Sequence, residues 1–108
     1  MDGKKIRIYR NDEVEGVIAG IPRGHYHLRM AIVLKDQVIV LHEATVAAIV
    51  RAYVDIVTHP TRRAVAMVKR TVDKTKKHGY ASVQQVDADV DEDNVLDIIE
   101  KMLEVSKA

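Results

Sequence analysis

Two apolar runs, His25 to Leu34 and Gln37 to Leu41, are separated only by Lys35-Asp36. A two-residue connection implies an antiparallel hairpin, although Lys-Asp is not the preferred turn pair, and a hairpin closed there dictates which side chains share a face. With the turn at Lys35-Asp36, Leu34 stands opposite Gln37, Ile32 opposite Ile39 and Arg29 opposite His42. This register collects Tyr26, Leu28, Met30, Ile32, Ile39 and Leu41 on one face, the expected core. The other face receives His25, His27, Arg29, Ala31, Val33, Val38, Val40 and His42.

Around this hairpin the hydrophobic period changes several times. Lys4 to Arg10 alternates around Ile6 and Ile8 and reads as a first strand. Glu13 to Ile21 reads as a second, with Gly16 and Gly20 marking a bulge or a close backbone approach. Pro22-Arg23-Gly24 is a turn. Thr45 to Thr58 leaves hardly a polar face; its β-branched content also suits a strand, but its length favours a buried helix. Pro60 suits the first position of a second helix, expected to run to about His78 with Gly79 as its stop. Tyr80 to Val86 is a further strand, and Asp91 can cap a final helix whose apolar face is Val95, Ile98, Ile99, Met102 and Leu103. The expected fold is a single α+β domain over residues 1–108, of order ββββααβα. A mainly antiparallel sheet of about five strands would be packed by three helices.

Composition narrows the chemistry. The 108 residues contain no Cys, Phe or Trp, which removes disulfides, thiolate metal sites and cysteine nucleophiles. The core must be built from aliphatic residues and four Tyr. High charge, abundant Val and Ile and the missing Cys suit a heat-adapted protein. No apolar run reaches the length of a membrane-spanning helix, and the N-terminus carries no signal-peptide apolar region, so the expectation is a cytoplasmic protein without membrane contact. The net charge of +1 hides an asymmetry: residues 1–86 hold 15 basic and 8 acidic groups, and residues 87–108 hold 2 and 8. Such a split can mark nucleic-acid contact or self-association, or simply neutralise within the fold.

Four constellations could carry function. His25, His27 and His42 fall on one sheet face, and neutral imidazoles at that spacing can share a metal. Arg29 lies among them, however, and the sequence shows no orienting carboxylate, so polar strand ends are the expectation and no metal is assigned. The run Asp87, Asp89, Asp91, Glu92, Asp93 opens like a calcium loop, but Glu92 stands where glycine is needed and Ile98 where the bidentate glutamate is needed. Capping of the last helix accounts for those acids. The expected second helix carries a basic stripe of Arg62, Arg63, Arg70, Lys74 and Lys77, a candidate phosphate-tracking surface for nucleic acid. Finally, Ala31, Val33, Val38 and Val40 form an apolar patch on the second sheet face, which needs covering by the last helix, by a second copy of the chain or by another protein. Ser82 and Ser106 are the only serines and neither has an evident catalytic partner. No cofactor is implied, and no enzyme is expected.

The block Ile39-Val40-Leu41-His42-Glu43-Ala44-Thr45-Val46-Ala47-Ala48, continuing through Thr58-His59-Pro60-Thr61-Arg62-Arg63, resembles small proteins of hyperthermophilic archaea. Within that group it is similar to the arcadins, which accompany the archaeal actin-like filament system. The resemblance covers about a quarter of the chain, contains no diagnostic motif and transfers no functional residue. It implies a non-catalytic accessory role exercised through protein contacts. The residues and the resemblance together lead to one expectation: a self-associating adaptor or accessory domain whose contact surface is the Ala31/Val33/Val38/Val40 face. A nucleic-acid-binding module using the basic helix is the alternative.

Overall fold

A computed structural model describes residues 3–71 and 82–107 of the chain. A short 3-10 turn, Asn11–Glu13, leads into β1 (Val14–Gly20), β2 (Arg29–Leu34), β3 (Val38–His42), α1 (Glu43–Val57), β4 (Met67–Thr71), β5 (Val83–Asp87) and α2 (Glu92–Lys107). The fold is α+β, but it holds two antiparallel sheets rather than one of five strands. β1, β2 and β3 form a three-stranded sheet in that order, while β4 pairs with β5 alone. Among the described residues there are two α-helices, not three.

The hairpin takes the register that its turn dictates. Arg29 pairs with His42, Ile32 with Ile39 and Val33 with Val38, and the Leu34 N–H donates to the Gln37 carbonyl at 2.8 Å. β1 adds to the other side of β2, with Val17 opposite Ile32 and Ile18 opposite Ala31. Its register slips between Val14 and Gly16, the bulge announced by the glycine. The preceding turn is of type II: the His25 N–H donates to the Pro22 carbonyl at 3.0 Å, and Gly24 sits at φ +82°, where a side chain would be strained.

Two expected elements are replaced. Lys4 to Arg10 is not a strand. Its side chains instead tie it to the β2–β3 turn. Tyr9 Oη donates to Asp36 Oδ1 at 3.0 Å and accepts from Gln37 Nε2 at 2.6 Å, and Arg7 Nη2 reaches Asp36 Oδ2 at 3.1 Å. Residues 61–71, after Pro60, are not helical either, and the rest of the expected helix, to His78, lies outside the described residues. His59 Nδ1 accepts from the Thr61 and Arg62 N–H groups, and Glu92 Oε1 accepts from those of Arg63 and Ala64. The donors of a would-be first helical turn are thereby held in an extended path that continues into β4. Val65, Val68 and Thr71 are β-branched and suit that outcome. Tyr26, expected in the core, lies outside the strands and is 90% exposed.

α1 follows β3 without a loop and touches both sheets, packing on β5, β3 and β2. It stops where the Thr58 N–H and Oγ1 both reach the Val54 carbonyl, just ahead of Pro60. α2 starts as expected: Asp91 Oδ1 accepts from the Asp93 N–H at 2.9 Å. The core itself is thin. Leu34, Val46, Ala48, Ala64 and Val95 are the buried hydrophobic residues among those described, whereas Val38, Val40, Ile49, Val50, Tyr53 and Val57 are each more than half exposed.

Candidate functional site

The end of the three-stranded sheet, the start of α1 and the start of β5 enclose a cavity of about 580 Å³. His27, Arg29 and His42 line it from the sheet. Glu43, Thr45, Ala47 and Arg51 line it from α1, and Ser82 to Gln85 from the β5 side. The absence of a loop between β3 and α1 brings these groups together, because His42 closes the strand and Glu43 opens the helix.

Polar contacts fix the cavity wall. Glu43 bridges the chain before β2: Oε2 lies 2.9 Å from His27 Nδ1, and Oε1 accepts from the Leu28 N–H at 3.1 Å. Arg29 Nη1 donates to the carbonyls of His27 and Leu28 at 3.1 and 3.2 Å. Across the cavity, Thr45 Oγ1 donates to Gln85 Oε1 at 2.9 Å and Arg51 Nη2 donates to the Gln85 carbonyl at 2.7 Å. The hydrogen bond from His27, reinforced by the Leu28 N–H, holds the Glu43 carboxyl below the usual glutamate range.

The sequence-derived candidates divide. His27 and His42 line the cavity, with Arg29 across the strand pair from His42 as expected. His25 does not, because the chain around it is a bend and not a strand. Among the described residues, no group of three His, Asp or Glu side chains could hold a metal ion. The carboxylate that sequence reading did not find for His27 is Glu43. Its signal was its place as the first helical residue, one step from a histidine on the same sheet end. Ser82 lines the same cavity, but no hydrogen bond joins it to either imidazole.

Among the described residues, Arg62, Arg63 and Arg70 do not lie along one helix face. Arg62 Nη2 lies 2.8 Å from Asp87 and Nη1 lies 3.8 Å from Asp55, so its charge is neutralised within the fold. The Arg63 N–H is held by Glu92. Arg70 lies on β4, where alternation sends it to the face opposite that of its neighbour Lys69. Lys74 and Lys77 lie outside the described residues. Three members of the acidic run have structural partners. Asp87 holds Arg62 and turns the chain toward Asp89, Asp91 caps α2, and Glu92 clamps the segment before β4.

The interface candidates, by contrast, share one surface. Three rows cross the outer sheet face: Gly16, Val33 and Val38; Ile18, Ala31 and Val40; Gly20, Arg29 and His42. Val38 is 57%, Val40 58% and Ile18 65% exposed, and a shallow hollow of about 280 Å³ opens there between Ile18, Ile21, Pro22, Ala31 and Val40.

Three clamped carboxylates give a pH expectation. Arg62 and the Asp89 N–H lower the Asp87 pKa, and the Arg63 and Ala64 N–H groups lower that of Glu92, as His27 and Leu28 do for Glu43. A carboxylate with a depressed folded-state pKa stabilises the fold above its unfolded pKa, and that stabilisation disappears as pH falls through the folded value. The melting temperature should therefore hold level above about pH 5 and fall steadily from about pH 4.5 to 3. Glu92→Gln should flatten part of that fall; a wild-type profile level to pH 3 would show that these contacts contribute nothing. Comparison with protein-family models, with curated proteins and with solved structures returns no match.

Proposed function

We propose that this chain is a non-catalytic protein-interaction domain that associates with copies of itself, with the outer face of the three-stranded sheet at the centre of the contact. Unburied surface carries the reading, and on the outer sheet face it is apolar, with Ile18, Val38 and Val40 each more than half exposed. The chain exposes 8860 Å², whereas a compact monomer of 12.1 kDa exposes about 6,000 Å². Its radius of gyration is 16.0 Å, against about 13 Å for a compact domain of this length. The difference of roughly 2,800 Å² is enough to supply one protomer's share of an obligate interface, about 1,000 to 2,500 Å².

The outer sheet face is suited to that contact by shape and charge. Gly16, Ile18 and Gly20 make the outward side of β1 nearly flat. A Cβ added at either glycine would meet nothing within 4 Å, and neither has a positive φ. Strand glycines weaken a sheet without a reason of their own, and the approach of another sheet supplies one. Arg29 and His42 are the charged or titratable groups of the nine, and both lie at one end. A two-fold axis lying across the strands would set that end against the partner's Gly16/Val38 end, separating like charges. The stripe of Ile49, Val50, Tyr53, Val54 and Val57 on α1 extends the apolar area available to the assembly. An accessory role beside an actin-like filament is the cellular setting that the arcadin resemblance adds to this reading.

Light scattering during gel filtration tests it. At tens of micromolar the wild-type chain is expected to show at least twice the 12.1 kDa monomer mass. A monomeric mass at about 100 µM would remove the proposal, since an interface of obligate size holds well below that concentration.

A further inference from the structure

Of the eight arginines, Arg7, Arg10 and Arg62 each hold a carboxylate within 4.0 Å. The other five hold none among the described residues, and of these Arg29 and Arg51 line the 580 Å³ cavity. The one acid in that lining, Glu43, is already engaged by His27 and by the Leu28 N–H. The lining therefore carries two guanidinium charges against the single carboxylate of Glu43, which also feels the charge of Arg29, and this excess of positive charge in a concave space concentrates anions.

Their orientation is also set. Carbonyls occupy Nη1 of Arg29 and Nη2 of Arg51, which fixes each guanidinium plane through bonds that do not consume its charge. Arg29 keeps its Nε–Nη2 edge, which can grip an oxyanion with paired hydrogen bonds, and Arg51 keeps the N–H groups of Nε and Nη1 as separate donors. The cavity is larger than a lone anion needs and lies in the range of small-molecule sites. Ala44, Ala47 and Val83 contribute apolar wall to it.

We propose that this cavity binds a small phosphomonoester, with the phosphate between Arg29 and Arg51 and the organic body against Ala44, Ala47 and Val83. A phosphate dianion matches the two guanidinium charges and offers three oxygens to their donors, where a carboxylate would offer two oxygens and half the charge. This site shares Arg29 and His42 with the end row of the outer sheet face, but it does not rest on self-association there.

The test is a titration of the full-length ¹⁵N-labelled chain at low salt with adenosine monophosphate, inorganic phosphate and adenosine as probes. The monophosphate should shift the amides of Arg29, Thr45, Arg51 and Gln85 and saturate, and inorganic phosphate should shift the same amides more weakly. Adenosine should leave them in place. Arg29→Gln and Arg51→Gln should each weaken binding about 10-fold or more, the loss expected for a charged hydrogen-bonding partner. Arg51→Lys, which keeps the charge and loses the fork, should fall between, and it serves as the reference if Arg51→Gln fails to fold. The proposal is overturned if neither phosphate probe shifts these amides at about 10 mM, a concentration at which even millimolar affinity registers. An equal response to adenosine, or full affinity retained in the folded Arg29 and Arg51 variants, overturns it as well.

Discussion

The double variant Ile18→Asp/Val40→Asp is expected to convert the associated chain into a folded monomer. Both positions flank Ala31 in the central row of the outer sheet face, and both are more than half exposed in a single copy. A carboxylate there meets water, so the monomer should lose little stability. In the proposed assembly the same carboxylates would be covered. Arg29, diagonal to both, can neutralise one of the pair, which leaves at least one uncompensated charge per copy. A covered polar group without a partner costs about 2 kcal/mol, and the two-fold repeats the cost, so the dissociation constant should rise about 1,000-fold. The mass should fall to 12.1 kDa at concentrations where the wild-type chain is associated, and the melting temperature should stop depending on concentration. Tyr26→Ser, at a site 90% exposed and off this face, is the control and should leave the mass unchanged. A double variant that is folded and still associated would place the contact elsewhere, with the α1 stripe the next surface to alter.

The parts of the fold legible beforehand are those specified by neighbours in sequence. The Lys35-Asp36 connection left one register for β2 and β3, and the structure has it, down to Arg29 beside His42. α1 and α2 were legible because each combines a long apolar pattern with a local signal at one end: Thr58 and Pro60 after α1, Asp91 before α2. The misread segments are decided by partners far along the chain. Ala64, Val65, Val68 and Val72 can be drawn as a helical stripe. Yet Asp87 and Glu92, some 25 to 29 residues away, anchor Arg62, Arg63 and Ala64 in an extended path instead. Lys4 to Arg10 alternates like a strand, but its side chains bind the β2–β3 turn at Asp36 and Gln37. The cavity was half visible. Register alone put Arg29 and His42 together, whereas Glu43 on His27 and Arg51 on Gln85 span 16 and 34 residues, and no local pattern announces either.

Leu34→Ala should be the most destabilising single truncation of this chain. Leu34 is 5% exposed, and its companions among the buried hydrophobic residues are only valines and alanines. It closes β2, pairs with Val14 of β1 and donates its N–H to Gln37 across the turn, so a buried side chain sits where the hairpin and β1 meet. Truncating a buried leucine costs about 3 kcal/mol through lost burial and the cavity left behind, which for a domain of this size is a fall of about 10 to 15 °C in melting temperature. Val17→Ala, on the same sheet but 59% exposed, should cost only a small fraction of that. Because Leu34 is buried within one copy, its loss should be the same in the wild-type chain and in the Ile18→Asp/Val40→Asp background, within about 0.5 kcal/mol. A loss that appears in the associated chain and vanishes in the monomeric variant would mean that a neighbouring copy, and not the chain's own fold, holds Leu34 in place. The three-stranded sheet would then be completed only on assembly.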